Sequence, residues 1–314
     1  MVKKMRLDEL RPQFREKYSK TPFPSLRNPL GFWFQRILMN TGSRPPKKPA
    51  LRQSTVELEN SKIRLYKPIY KPSRAGLIFI HGGGMVMGRA KGNDLECNHY
   101  ADEFGIVVAS VEYRVAPEHP YPAAIDDCFA TWLWVQEHAE ELGIDPNKIV
   151  IAGQSAGGGL AAALAQRVLD AGGPQPAAQI LFYPMLDDRT AARDDLTAIH
   201  HIGWYNTNNH FGWSAYLGHD AGSLDETPPW SVPGRRQNLQ GLAPSWIGVG
   251  DKDLFFEEDC DYAERLKAAG VECELNVVDG APHGFDIIVP YAESSISFVK
   301  SADRFLIKKL GIYD

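Results

Sequence analysis

The chain has 314 residues, enough to bury about three quarters of its unfolded surface with no disulfide or metal staple. An apolar fraction of 44% and a charged fraction of 23% exclude a globally disordered chain. The 34 basic and 39 acidic residues leave a formal charge of −5, too small and too mixed to point to a nucleic acid or an anionic membrane as partner.

The start carries lysines with no apolar stretch behind them, so no leader peptide is expected. The most apolar early stretch, residues 30–39, is interrupted by Gln35 and Arg36 and is too short to span a bilayer. The first fifty residues read as irregular, and the Pro/Lys-rich segment 43–49 reads as an extended linker. Cys97, Cys128, Cys260 and Cys273 form no CxxC pair, and without a leader they are expected as free thiols in the reducing cytoplasm.

From about residue 75 short apolar runs alternate with helical stretches. The runs lie at 77–80, 106–111, 149–152, 179–183, 246–249 and 275–278. They do not alternate polar with apolar, as suits strands buried on both faces of a mostly parallel sheet. Helices are predicted between them over 123–141, 156–169 and 257–269, with a last one over 294–310. This order predicts a doubly wound α/β core flanked by helices. Some sixty residues between Tyr183 and Pro244 show no strand signal but hold Trp204, Tyr205, Trp213, Tyr216 and Trp230. An insertion this long and aromatic reads as a cap over the sheet, joined by Phe23, Phe32, Trp33 and Phe34 from the N-terminus.

Three motifs carry chemistry. Gly153-Gln-Ser155-Ala-Gly157 follows one apolar run and opens an alanine-rich helix, the strand–turn–helix context of a nucleophile elbow. Its flanking glycines let strand and helix approach closely, leaving Ser155 at a helix N-terminus. His81-Gly82-Gly83-Gly84 follows the run at 77–80. Its glycines suit an oxyanion hole of backbone N–H groups from Gly83, Gly84 and Ala156, with His81 bracing the loop. The base should follow an acid late in the chain, and His283 in Gly280-Ala-Pro-His-Gly-Phe285 fits. Asp251 and Asp253 both follow the run at 246–249, and spacing alone does not choose between them.

Taken together these segments resemble the hormone-sensitive lipase family of α/β-hydrolases, in its microbial carboxylesterase branch. The likeness runs through His81–Gly84, Tyr113-Arg-Val-Ala-Pro-Glu118, Tyr121-Pro122 to Asp127, Gly153–Gly158, Tyr183-Pro184 to Arg189, Asp253 to Asp259, Tyr262 and His283-Gly-Phe285. It covers about residues 50–310. It implies an α/β-hydrolase fold with a helical cap, and it implies Asp253, nine residues before Tyr262-Ala263, as the acid. The corresponding division is an N-terminal cap segment and linker at 1–50 and a catalytic domain at 51–314, with a cap insertion at about 187–240. Gln154 departs from the family, which usually has an acidic residue or Thr before the nucleophile.

The expected activity is serine carboxylesterase hydrolysis of short- to medium-chain or aryl esters through an acyl-enzyme on Ser155, with Asp253 and His283. An amidase or lactonase using the same residues, and a ligand-binding protein on this fold, are the alternatives. Trp204, Tyr205 and Trp213 are the candidate substrate-binding residues. No cofactor or metal is expected, since His200, His201 and His210 lack acidic or thiol partners in the sequence. The partner expected is a small-molecule ester, with no nucleic acid and no membrane; a homodimer stays open. No exposed amphipathic stretch suited to an oil interface is read, which favours a soluble esterase over a true lipase.

Overall fold

In the computed structural model, which describes residues 3–40, 51–70 and 72–312, each apolar run becomes a strand. The main sheet has eight: β1 Leu51–Glu57, β2 Lys62–Pro68, β3 Gly76–Ile80, β4 Val107–Glu112, β5 Ile149–Gln154, β6 Ala178–Phe182, β7 Ser245–Gly250 and β8 Cys273–Val278. Their spatial order is β8-β7-β6-β5-β3-β4-β2-β1. Only β2 runs antiparallel to its neighbours. The β1–β2 hairpin was not anticipated. In β2 burial alternates, with Ile63 and Leu65 buried and Lys62 and Arg64 exposed or half-buried, whereas the inner strands are buried almost throughout.

The longer helices are α1 Pro12–Lys20, α2 Pro29–Asn40, α3 Asp94–Phe104, α4 Ala123–Glu137, α5 Ala156–Ala171, α6 Asn206–Leu217, α7 Phe256–Ala268 and α8 Glu293–Leu310. Residues 12–20 and 29–40 are therefore helical rather than irregular. Pro12 and Pro29 stand at first helical positions, where their missing N–H costs nothing, and Phe14 and Tyr18, four apart, give α1 a buried face. The helix expected over 123–141 breaks at His138, and a separate short turn follows at Ala139–Leu142. The linker expected at 43–49 lies outside the described residues.

Successive strand residues point to opposite faces, so the sheet has two cores. Ile78, Ile80, Ile151, Leu181 and Ile247 pack with Ile125, Trp132, Leu160, Leu164 and Leu266 of α4, α5 and α7. Leu77, Phe79, Val150, Ile180 and Trp246 pack with Phe14, Tyr100, Phe298 and Phe305 of α1, α3 and α8. The insertion after β6 is mostly helix and loop. It contributes one short parallel pairing, Ile199–His200 with Lys3–Lys4.

The chain passes from β3 outward to β4, then returns to β5 on the other side of β3. The order thus reverses between β3 and β5, and a crevice opens at their C-terminal ends. Ile80 pairs with Gly153 there, which brings the loop after β3 beside the turn after β5.

Candidate active site

Ser155 caps α5 with φ 55° and ψ −122°, a backbone conformation that side chains rarely adopt. The turn is tight enough that a methyl group at Gly153 would overlap the Gly157 carbonyl, and one at Gly157 would overlap the Ile80 carbonyl. The glycines flanking Ser155 are thus required by close backbone approach. The same turn is tied to β6, since the Ser155 N–H donates to the Phe182 carbonyl at 2.9 Å.

The structure brings Ser155, His283 and Asp253 together from the ends of three strands. The Ser155 Oγ lies 2.9 Å from His283 Nε2, and His283 Nδ1 lies 2.7 Å from Asp253 Oδ2. Asp253 is buried, and its other oxygen accepts from the Phe255 N–H at 3.0 Å. Asp251 faces elsewhere. It accepts from the Gly280 N–H at 2.6 Å and pairs with Lys252 at 3.0 Å, joining the turns after β7 and β8.

Above Ser155, Gly83 and Gly84 adopt φ 120° and 62°. Among the described residues none of the N–H groups of Gly83, Gly84 and Ala156 donates to a main-chain carbonyl outside regular elements. His81 braces the base of this loop. Its ring stacks on Tyr113 with centroids 4.1 Å apart, Nδ1 lies 2.8 Å from the Gly82 carbonyl, and burial pushes its pKa down to about 4, so it stays neutral.

Ser155, His283 and the glycine loop line a cavity of about 350 Å³, with apolar walls from Phe23, Met39, Met87, Trp204 and Ile287. Of the three aromatic residues expected to bind substrate, only Trp204 is in this wall. Its ring lies against Gly84, where an added methyl would meet it at 2.7 Å. Tyr205 and Trp213 are corrections. Both are buried and outside the cavity lining, with Tyr205 stacked on His200 at 4.1 Å and Trp213 packed near Tyr216. A tryptophan packed behind the wall has the same sequence signature as one in it.

Further residues support the triad, and of these Tyr18, Asp286 and Glu96 had no sequence signal. The Tyr18 hydroxyl of α1 donates to the His283 carbonyl at 2.7 Å, so the N-terminal segment holds the histidine loop. The Tyr183 ring stands edge-on to His283 at 4.8 Å, and its hydroxyl donates to the buried Asp286 at 2.7 Å. Burial raises Asp286 to about 6 and Glu96, in the cavity wall, to about 7. Gln154, standing where the family usually has an acidic residue or Thr, is buried and accepts from Asn93 Nδ2 at 2.7 Å, so its amide oxygen is bonded without a charge.

The chain is similar to known α/β-hydrolases in sequence and in fold. The pattern of the alpha/beta hydrolase fold matches residues 77–287. Esterase LipI of Mycobacterium tuberculosis is 35% identical over 284 residues, covering 84% of this chain and 83% of that one. An ethyl acetate hydrolase of Pseudomonas putida is 32% identical over 231 residues, covering 71% and 70%. Among solved structures, a bacterial heroin esterase superposes with a TM-score of 0.90 at 30% identity, covering 97% of this chain and 99% of that one.

Proposed function

The chain belongs to the hormone-sensitive-lipase-like α/β-hydrolases, and from that premise we propose that it hydrolyses carboxylic esters through an acyl-enzyme on Ser155. The observation that carries the reading is the unbroken relay from Ser155 Oγ to His283 at 2.9 Å and on to Asp253 at 2.7 Å. The Ser155 Oγ attacks the ester carbonyl while His283 Nε2 takes its proton. Asp253 keeps the Nδ1–H tautomer and stabilises the imidazolium. The carbonyl oxygen, now negative, is held by the N–H groups of Gly83, Gly84 and Ala156, each donor worth about 3 kcal/mol in the transition state. His283 returns the proton to the leaving alkoxide, and water repeats the cycle on the acyl-enzyme.

The apolar cavity of about 350 Å³ supports short- to medium-chain acyl groups or an aryl alcohol as substrate parts. In this reading the N-terminal segment up to residue 50 and the insertion at about 187–240 form a cap on the catalytic domain at 51–314. Trp204 from the insertion and Phe23 from the N-terminal segment meeting at one cavity support that division. The four free cysteines are consistent with a cytoplasmic protein. The test is a series of nitrophenyl esters of rising acyl length on the purified protein. Turnover highest on the shorter chains and abolished in Ser155→Ala supports the reading, and turnover retained in that variant refutes it.

A further inference from the structure

Helix α2 shows an apolar stripe that its sequence did not reveal. Leu30, Trp33, Phe34, Ile37 and Leu38 recur at helical spacing on one face, and all are exposed, Leu30 by 78% and Trp33 by 64%. The opposite face fixes the helix to the body. Phe32 packs edge-on to Phe211 at 5.2 Å, Arg36 makes a two-pronged pair with Glu118 at 2.6 and 2.7 Å, and Asn40 accepts from the Gly88 N–H at 3.2 Å. A rigid helix with this much apolar surface outward calls for a partner.

Two observations identify the partner's chemistry. First, the stripe runs into the substrate entrance: Leu38 and Met39 are exposed and also line the cavity that holds Ser155. Second, charge is segregated. Residues 3–40 carry nine Lys/Arg against three Asp/Glu, although the whole chain carries 34 against 39. Lys17, Lys20 and Arg27 are exposed, while Arg6, Arg11, Lys20 and Arg36 pair with Asp8, Asp279, Glu16 and Glu118. At the entrance Arg89 is exposed, with Glu112 at 3.9 Å. The small net charge of the chain conceals this basic end.

We propose that α2 docks this protein on an anionic phospholipid surface, with the stripe of Trp33 and Phe34 among the lipids and the cavity entrance facing them. Apolar esters dissolved in the bilayer then reach Ser155 past Leu38 and Met39 without crossing water; that delivery role rests on the ester-hydrolase reading, whereas the docking does not. Amphipathic helices bind such surfaces through buried apolar area together with basic side chains. A second copy fits less well, because stripe-to-stripe pairing would set two basic ends against each other and cover both entrances.

The test is co-sedimentation of the full chain with vesicles of phosphatidylglycerol mixed into phosphatidylcholine, and with phosphatidylcholine alone. The expected result is binding to the anionic vesicles, weakened at least about tenfold by salt near 0.5 M and by W33S/F34S. Turnover of a soluble short-chain nitrophenyl ester stays unchanged in that variant, which shows it folded. Ser155→Ala protein binds like the parent, so failure of the catalytic reading leaves this result standing. No binding, equal binding to both vesicle types, or binding unchanged in W33S/F34S overturns the proposal. So does a dimer in solution that the double substitution converts to monomer.

Discussion

Replacing Asp253 by Asn separates two residues that sequence spacing leaves equivalent. The Asp253 carboxylate is fully buried and 2.7 Å from His283 Nδ1, and the imidazole is itself only 11% exposed. When His283 takes the Ser155 proton, the two become an ion pair with charge centres roughly 4 Å apart. At an effective dielectric of about 20 their attraction is about 4 kcal/mol. Its loss from the transition state alone lowers turnover by about three powers of ten. Asn adds a second penalty, because its amide can present N–H to Nδ1 and so favour the wrong imidazole tautomer; the same exchange in a serine protease costs about 10⁴. The expected fall in kcat is therefore about 10³- to 10⁴-fold. Asp251→Asn keeps an oxygen for the Gly280 N–H and does not touch His283, so its kcat should stay within about threefold of the parent. Nitrophenyl butyrate hydrolysis at neutral pH, with circular dichroism to verify folding, measures both. A comparable loss in the two variants, or more than a tenth of the parent rate in Asp253→Asn, would refute the assignment.

Tyr18→Phe removes the hydrogen bond that holds the His283 carbonyl, worth about 1 kcal/mol. It should lower kcat about fivefold with KM unchanged; an unaltered kcat with only a lowered melting temperature would reduce Tyr18 to a packing residue. Trp204→Ala should open the cavity toward longer acyl chains and raise the decanoate-to-butyrate rate ratio by about tenfold, since one methylene of fit is worth about 1–3 kcal/mol. An unchanged ratio would take Trp204 out of the specificity wall. Asp259 is fully buried, neither carboxyl oxygen has a hydrogen-bond partner among the described residues, and burial holds its pKa well above the usual range. The unfolded chain ionises near pH 4 while the folded one keeps its proton, so this group's contribution to stability is greatest in acid and is lost as pH rises. Asp259→Asn should therefore gain stability relative to the parent at pH 8 more than at pH 4, measured by urea unfolding. An equal difference at both values would contradict the burial argument.

The parts of the site legible in the sequence are those where backbone geometry restricts residue type. Gly153 and Gly157 stand where any side chain would collide with a carbonyl, and Gly83 and Gly84 sit at positive φ. Those constraints leave a written pattern. His283 was readable from its place in chain order. Asp253 needed the family likeness, because a two-residue shift along one turn decides which carboxylate meets the imidazole. The cap was readable as an aromatic insertion, but not which of its rings face the cavity: Trp204 and Trp213 differ only in how α6 and its preceding loop pack. Tyr18 was illegible for a stronger reason. It meets His283 across a separation of 265 residues, through a helix that prolines and arginines made look irregular. The stripe on α2 was hidden by Gln35 and Arg36, which interrupt the apolar run in sequence yet lie on the helix's other face.

The most direct measurement is active-site labelling with an organophosphonate followed by peptide mass spectrometry. One equivalent should attach to the Ser155 peptide, with activity lost in proportion, and Ser155→Ala should take up none. Inactivation with the label on another residue, or no inactivation under conditions where ester turnover is rapid, would contradict the account.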